Sequence, residues 1–255
     1  MLRLQQKLFS TWAAFALFLV GMSHIPLFVF GRSAGYAAPR NWARCMQAGL
    51  WLILGSRIEV RGLEHLPPGP VLIAMKHQSP IDTLHPFLWL HRPCFVLKQE
   101  LLSVPVFGWY CRWLGMIPIA REAGMQSLKD MVKAARGALA EGRSVVIFPE
   151  GTRRELGARP DYKPGVAALY RELGVPCVPI ALNTGVVWPK EGNDYRPGVI
   201  TFEVLAPIPA GLSRQGFMQA LEGAIEPATD RLVAEERARQ ASPRPLVAEA
   251  RVGLA

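Results

Sequence analysis

Residues 71–82 read Val-Leu-Ile-Ala-Met-Lys-His-Gln-Ser-Pro-Ile-Asp, and the change of character at Lys76 decides the fold class. Five apolar residues in a row are the mark of a strand buried on two faces. Ser79 followed by Pro80 is a helix start, because Ser caps free amides and Pro is favoured at the first helical position. A buried strand that runs through a short polar turn into a helix is half of a parallel β/α unit.

Working outward, the same alternation recurs. Short apolar runs rich in β-branched residues lie at Arg57–Arg61, Pro70–Lys76, Cys94–Lys98, Met116–Ala120, Arg143–Pro149, Pro176–Asn183 and Gly198–Ala206. Helical periods lie between them at Pro80–Leu90, Gln99–Leu114, Glu122–Glu141 and Pro164–Leu173, with a last helix over Ser213–Arg239 interrupted at Pro227. In the third, Met125, Leu128, Val132, Ala135 and Leu139 form one apolar stripe. The expected fold is α/β, a largely parallel sheet flanked by helices, with an N-terminal membrane-attached helical segment. The expected organisation is a hydrophobic attachment segment over 1–56, an α/β domain over 57–240 and a flexible tail over 241–255.

Leu8 to Phe30 contains no Asp, Glu, Lys or Arg. As one helix this run would reach about 34 Å, enough for a hydrocarbon core of about 30 Å. It is too long for the apolar region of a signal peptide, so a membrane segment is expected. Cys45–Gly55 is a second, shorter apolar stretch, and with His24 and Pro26 in the first it equally fits a pair of helices dipping into one leaflet. The flanking charges do not set an orientation.

The 255 residues carry a net charge of +9, which suits nucleic acid, an anionic membrane or a phosphorylated substrate. Residues 1–60 hold six Lys or Arg against one acid, so the excess is concentrated around the apolar segments, and no helix-turn-helix or RNP signature is present. A membrane surface is therefore expected and nucleic acid is not. Cys45, Cys94, Cys111 and Cys177 are never closer than 17 residues, which disfavours a cysteine metal site and suits buried thiols in a reducing compartment. No metal site is expected.

Polar groups of chemical interest sit just past the apolar runs, where sites in α/β sheets collect. His77 with Asp82 one helical turn on has the make-up of a general base and its orienting carboxylate, although an acid there also caps a helix. Glu150, Gly151, Thr152 and Arg153 follow the run ending at Phe148, and their amide, hydroxyl and guanidinium groups suit a phosphate. Arg121 follows the run 115–120 and Lys98 follows Cys94–Leu97, each a further candidate for an anion. No Ser or Cys has the surroundings of an activated nucleophile.

Four blocks, KHQSPID (76–82), GMIPIAR (115–121), FPEGTR (148–153) and VPIALN (178–183), stand in one order. In these and in 162–189 the sequence resembles the glycerolipid acyltransferases, and within them the bacterial 1-acyl-sn-glycerol-3-phosphate (lysophosphatidic acid) acyltransferases. The resemblance implies transfer of an acyl group from acyl-CoA or acyl carrier protein to the sn-2 hydroxyl of lysophosphatidic acid, with no cofactor and no acyl-enzyme. It implies His77 as base, Asp82 as its partner, Arg121 and Glu150–Arg153 around the glycerol phosphate, and Pro179 supporting the acyl or acceptor pocket. It places the enzyme at the bacterial inner membrane, facing the cytoplasm. Lys76 stands where this family often has Asn; it either adds positive potential for the phosphate or marks a different acceptor. Other acceptors left open are glycerol-3-phosphate, another lysophospholipid and a lyso-ornithine lipid.

Overall fold

A computed structural model describes residues 2–120, 124–190, 192 and 194–242. Seven strands form one sheet: β1 (Arg57–Arg61), β2 (Leu72–Met75), β3 (Cys94–Lys98), β4 (Ile117–Ile119), β5 (Val145–Ile147), β6 (Cys177–Leu182) and β7 (Val199–Val204). Their order is β1-β7-β6-β2-β5-β3-β4. All neighbours are parallel except β6 and β7, so the sheet is mixed rather than uniformly parallel. The antiparallel step arises because β7 starts at the sheet end where β6 stops, and β6 is followed there by the short helix α7 (Thr184–Val187) instead of a long crossover helix.

Strand alternation divides the sheet into two faces. Val71, Ile73 and Met75 join Val146, Val178 and Ile180 in the core beneath the N-terminal helices. Leu72, Ala74, Val145 and Ile147 face the other way, against α5 (Gly124–Ala140), α6 (Pro164–Leu173) and α8 (Arg214–Ala241). On α5 the fully buried positions are Met131, Ala135 and Ala138, with Leu128, Val132 and Leu139 beside them, and Met125 is exposed. Ser213 caps α8 through its side chain onto the Gly216 amide. The helix runs on through Pro227, where the residue one turn back is Gly223, so the interruption expected there does not occur.

The apolar N-terminal run does not form one spanning helix. Helix α1 (Leu2–Ser23) stops before Pro26, and Ile25–Phe30 is a separate 3-10 turn. Proline has no amide hydrogen and crowds the preceding turn, so it divides the uncharged run. After α2 (Arg32–Gly35), helix α3 (Ala37–Leu54) packs back against α1. Trp12 donates to the Cys45 carbonyl, and His24 bridges the Val20 carbonyl and the Asn41 amide, fastening the pair. Among the described residues, no helix is long and apolar enough to cross a membrane. The expectation of a transmembrane helix is corrected here.

Two other expected helices are broken by proline. Pro80–Leu90 is two 3-10 turns, Pro80–Thr83 and His85–Leu88, divided ahead of Pro86. Gln99–Leu114 is a 3-10 turn over Gln99–Ser103 and helix α4 (Phe107–Trp113), separated by Pro105 and by Val106 at φ 64. The tail from residue 243 lies outside the described residues.

Candidate active site

Strands β2, β5 and β3 are parallel neighbours, so their carboxyl ends bring His77, Glu150–Arg153 and Lys98 to one edge. The turn after β2 is built on Asp82. Its Oδ2 atom accepts from the Gln78 amide at 2.7 Å, the Ser79 amide at 2.8 Å and His77 Nδ1 at 2.9 Å. Asp82 is fully buried, so three donors hold one carboxylate oxygen away from water. A carboxylate on Nδ1 fixes the proton there and leaves the Nε2 lone pair available. Nε2 of His77 has no hydrogen-bond partner among the described residues.

Phe148, at the end of β5, lies flat under the imidazole with centroids 3.9 Å apart and an interplanar angle of 18°. It belongs to the FPEGTR block, yet nothing in the sequence pattern marked it as the floor of His77. Gln78 is buried and its side-chain oxygen accepts from the Gly185 amide at 3.0 Å, tying the turn to the segment after β6. Ser79 Oγ is buried at the capping box with the Asp82 amide, and among the described residues no serine side chain hydrogen-bonds to His77.

The loop after β5 is joined to this turn through the backbone, the Arg154 amide donating to the His77 carbonyl at 2.8 Å. Gly151 sits at φ 65, a left-handed conformation that favours glycine and turns the chain tightly behind Phe148. Thr152 is exposed, and Arg153 is half-buried with Nη1 on the Lys190 carbonyl at 3.1 Å, its one side-chain hydrogen bond among the described residues. Lys98 is exposed at the end of β3. Arg121 lies outside the described residues.

Pro179 does not join this group. It pairs with Ala74 inside β6, and alternation with Val178 and Ile180 turns it to the α8 face. The polar residue of the same block, Asn183, accepts from the Thr201 amide at 2.7 Å and donates to the Val199 and Leu232 carbonyls, closing the end of β6 onto β7 and α8.

Lys76 points to the opposite face from His77, as alternation requires. It is 4% exposed, and its Nζ lies 2.8 and 2.9 Å from the two Glu226 oxygens on α8 and 3.1 Å from Glu150 Oε2. The reading that Lys76 lends potential to a substrate phosphate is corrected by this: its charge is consumed by two carboxylates under the sheet. Glu150 likewise turns inward, its carboxylate buried between Lys76 and Arg154 Nε at 3.3 Å. Burial pushes the Glu150 carboxyl above its ordinary value, with the Lys76 charge the largest opposing influence.

An apolar cleft opens on the His77 face between the N-terminal helices and the sheet. Leu17, Val20, Trp42, Leu84, Phe107 and Leu114 line it, and Thr83 beside Asp82 forms part of its wall.

The acyltransferase family model matches residues 57–183, from β1 to the end of β6. A 1-acyl-sn-glycerol-3-phosphate acyltransferase of Pseudomonas aeruginosa is 38% identical over 188 residues, covering 68% of this chain and 72% of that protein. The chain belongs to the acyltransferase family. A second relative, the human 1-acyl-sn-glycerol-3-phosphate acyltransferase alpha, is 32% identical over 65% of this chain and 60% of its own length. The crystal structure of the 1-acyl-sn-glycerophosphate (LPA) acyltransferase PlsC from Thermotoga maritima superposes with a TM-score of 0.72. It is 20% identical and covers 96% of this chain and 100% of that one, so this acyltransferase shares its fold over nearly the whole chain, N-terminal helices included.

Proposed function

We propose that this acyltransferase moves a fatty acyl group from an acyl thioester to the sn-2 hydroxyl of 1-acyl-sn-glycerol-3-phosphate, giving phosphatidic acid. The observation that carries the reading is His77: Nδ1 held by a buried carboxylate, and Nε2 open with no nucleophilic side chain paired to it among the described residues. Such a base serves a hydroxyl brought by the substrate rather than one of the protein's own. Nε2 takes the proton as the hydroxyl oxygen bonds to the thioester carbon. The tetrahedral intermediate then collapses, the C–S bond breaks, and the proton passes to the departing thiolate of acyl-CoA or acyl carrier protein. Asp82 stabilises the imidazolium that exists between these two transfers.

Arg153, Thr152 and Lys98 at the neighbouring strand ends supply groups suited to the acceptor's phosphate, which favours a phosphorylated acceptor over a lyso-ornithine lipid. Glu150 supports that loop from beneath. The apolar cleft next to Asp82 is suited to an acyl chain.

The enzyme would meet its lipid at a membrane surface. Leu4, Leu8, Phe15, Phe18 and Leu19 of α1, Val29 and Phe30 of the following turn, and Leu52 of α3 are all more than half exposed, an apolar surface that lipid would cover. Four unpaired cysteines suit the cytoplasmic side of the bacterial inner membrane. His77→Ala tests the proposal. With lysophosphatidic acid and acyl-CoA, phosphatidic acid formation is expected to fall about 10²–10⁴-fold, the usual contribution of a positioned base. Turnover close to wild type would remove His77 from the mechanism.

A further inference from the structure

The buried ion cluster behind the catalytic edge has no part in the chemistry just described, yet it joins the segments that carry His77 and Gly151–Arg153. Lys76 precedes His77 in the chain, Glu150 precedes Gly151–Arg153, and Glu226 belongs to α8. Tyr162, from the segment leading into α6, donates to Glu226 Oε1 at 2.7 Å, and Arg154 closes on Glu150 from the other side. The groups facing one another are thus two cations, two carboxylates and one phenol. Lys76 Nζ is the atom common to both carboxylates, and Lys76 is 4% exposed and Glu150 1%.

We infer that Lys76 is a positioning residue, whose ammonium sets the spacing between His77 and the acceptor-phosphate loop from the opposite face of the sheet. The inference rests on the function proposed above. Its geometry is a consequence of strand alternation. Just past β2, residue 77 lies over Phe148 on one face while residue 76 grips Glu150 on the other, so the end of β2 holds two points of the segment that follows β5. Glu226 then anchors the ammonium to α8. Neither Glu150 oxygen has hydrogen-bond alignment with any group, which leaves the ionic contacts to Lys76 and Arg154 as its side-chain restraints among the described residues. Without the ammonium, the buried Glu150 carboxylate would face the partly buried Glu226 carboxylate with Arg154 alone to balance them, and the loop carrying Thr152 and Arg153 would move off.

Lys76→Met removes the charge at similar volume, and Glu226→Gln keeps the shape and the Tyr162 contact while removing the far anchor. Each variant is assayed at fixed folded concentration, checked by circular dichroism, with separate titrations of lysophosphatidic acid and acyl-CoA. For Lys76→Met, kcat/KM for lysophosphatidic acid is expected to fall about 10²-fold, the scale of an ångström-sized misplacement, with the KM for acyl-CoA unchanged. A smaller loss confined to the same substrate is expected for Glu226→Gln. A folded variant with wild-type acceptor kinetics overturns the inference. So does a parallel rise in the KM of both substrates, which is what general loosening of the fold would give. Should Lys76→Met not fold, Glu226→Gln decides on the same two criteria. Wild-type protein without activity on lysophosphatidic acid would instead refute the proposed function itself.

Discussion

Asp82→Asn isolates the charge of the carboxylate from its geometry. Among the described residues, three donors to Asp82 converge on Oδ2, while Oδ1 has no hydrogen-bond partner. An asparagine can therefore place its carbonyl oxygen where Oδ2 stands and keep the bonds to Gln78, Ser79 and the Nδ1 proton. What it loses is the negative charge 2.9 Å from Nδ1. Coulomb's law with an effective dielectric of about 20 gives about 6 kcal/mol for a full imidazolium at that distance. With about half the charge developed in the transition state the loss is about 3 kcal/mol, or about 10²-fold in kcat. Asp82→Ala, which also orphans two buried amides, is expected to lose more activity and roughly 1–3 kcal/mol of stability for each amide. The assay is the initial rate of phosphatidic acid formation with both substrates saturating, at one neutral pH. If Asp82→Asn keeps kcat within about threefold of wild type, an energy below 1 kcal/mol, the carboxylate's charge is not used to stabilise an imidazolium.

Two further outcomes are expected. Arg153→Ala removes a half-buried guanidinium beside the proposed phosphate site, so kcat/KM for lysophosphatidic acid should fall about 10–100-fold while the donor's KM holds; the reverse pattern would take the phosphate away from Arg153. His85 is buried, stacked on Phe202 with Trp89 Nε1 on its Nδ1, and burial lowers its pKa to about 4. Because the folded value lies below the ordinary 6.5, its contribution to stability is complete above pH 6.5 and is lost as pH falls towards 4, about 3 kcal/mol in all. Thermal melts at neutral pH and near pH 4 should therefore show a smaller acid-induced drop in His85→Phe than in wild type, and equal drops would refute the assignment.

The strands were the most legible part of the fold. Arg57–Arg61 and Cys94–Lys98 begin and end where the sequence pattern places them, because short β-branched runs flanked by Gly or Pro have few alternatives. Helices were less legible where proline intervened: Pro26, Pro86 and Pro105 each broke an apolar stretch that periodicity alone reads as continuous. Pro227 shows the opposite error. There tertiary contacts win, since the adjacent Glu226 is fixed by Lys76 and Tyr162. At the site, His77 and Asp82 could be read from spacing, since five residues and one helical start suffice to bring them together. The role of Lys76 was half legible. Period-two alternation with Leu72 and Ala74 puts it on the face opposite His77, but nothing local announces a partner 150 residues away.

The strand order also has a consequence in time. β1 stands at the edge of the sheet beside β7, about 140 residues later in the chain, and Phe9 of α1 is sealed by Trp188 and Tyr195 from the segment just before β7. At ribosomal speeds of roughly 5–20 residues per second, that interval lasts on the order of ten to thirty seconds. Through most of it the N-terminal helices can rest on the strands already made but lack the part of their seat that Trp188 and Tyr195 supply. Phe9, fully buried in the finished protein, stays open until almost the last strand is made.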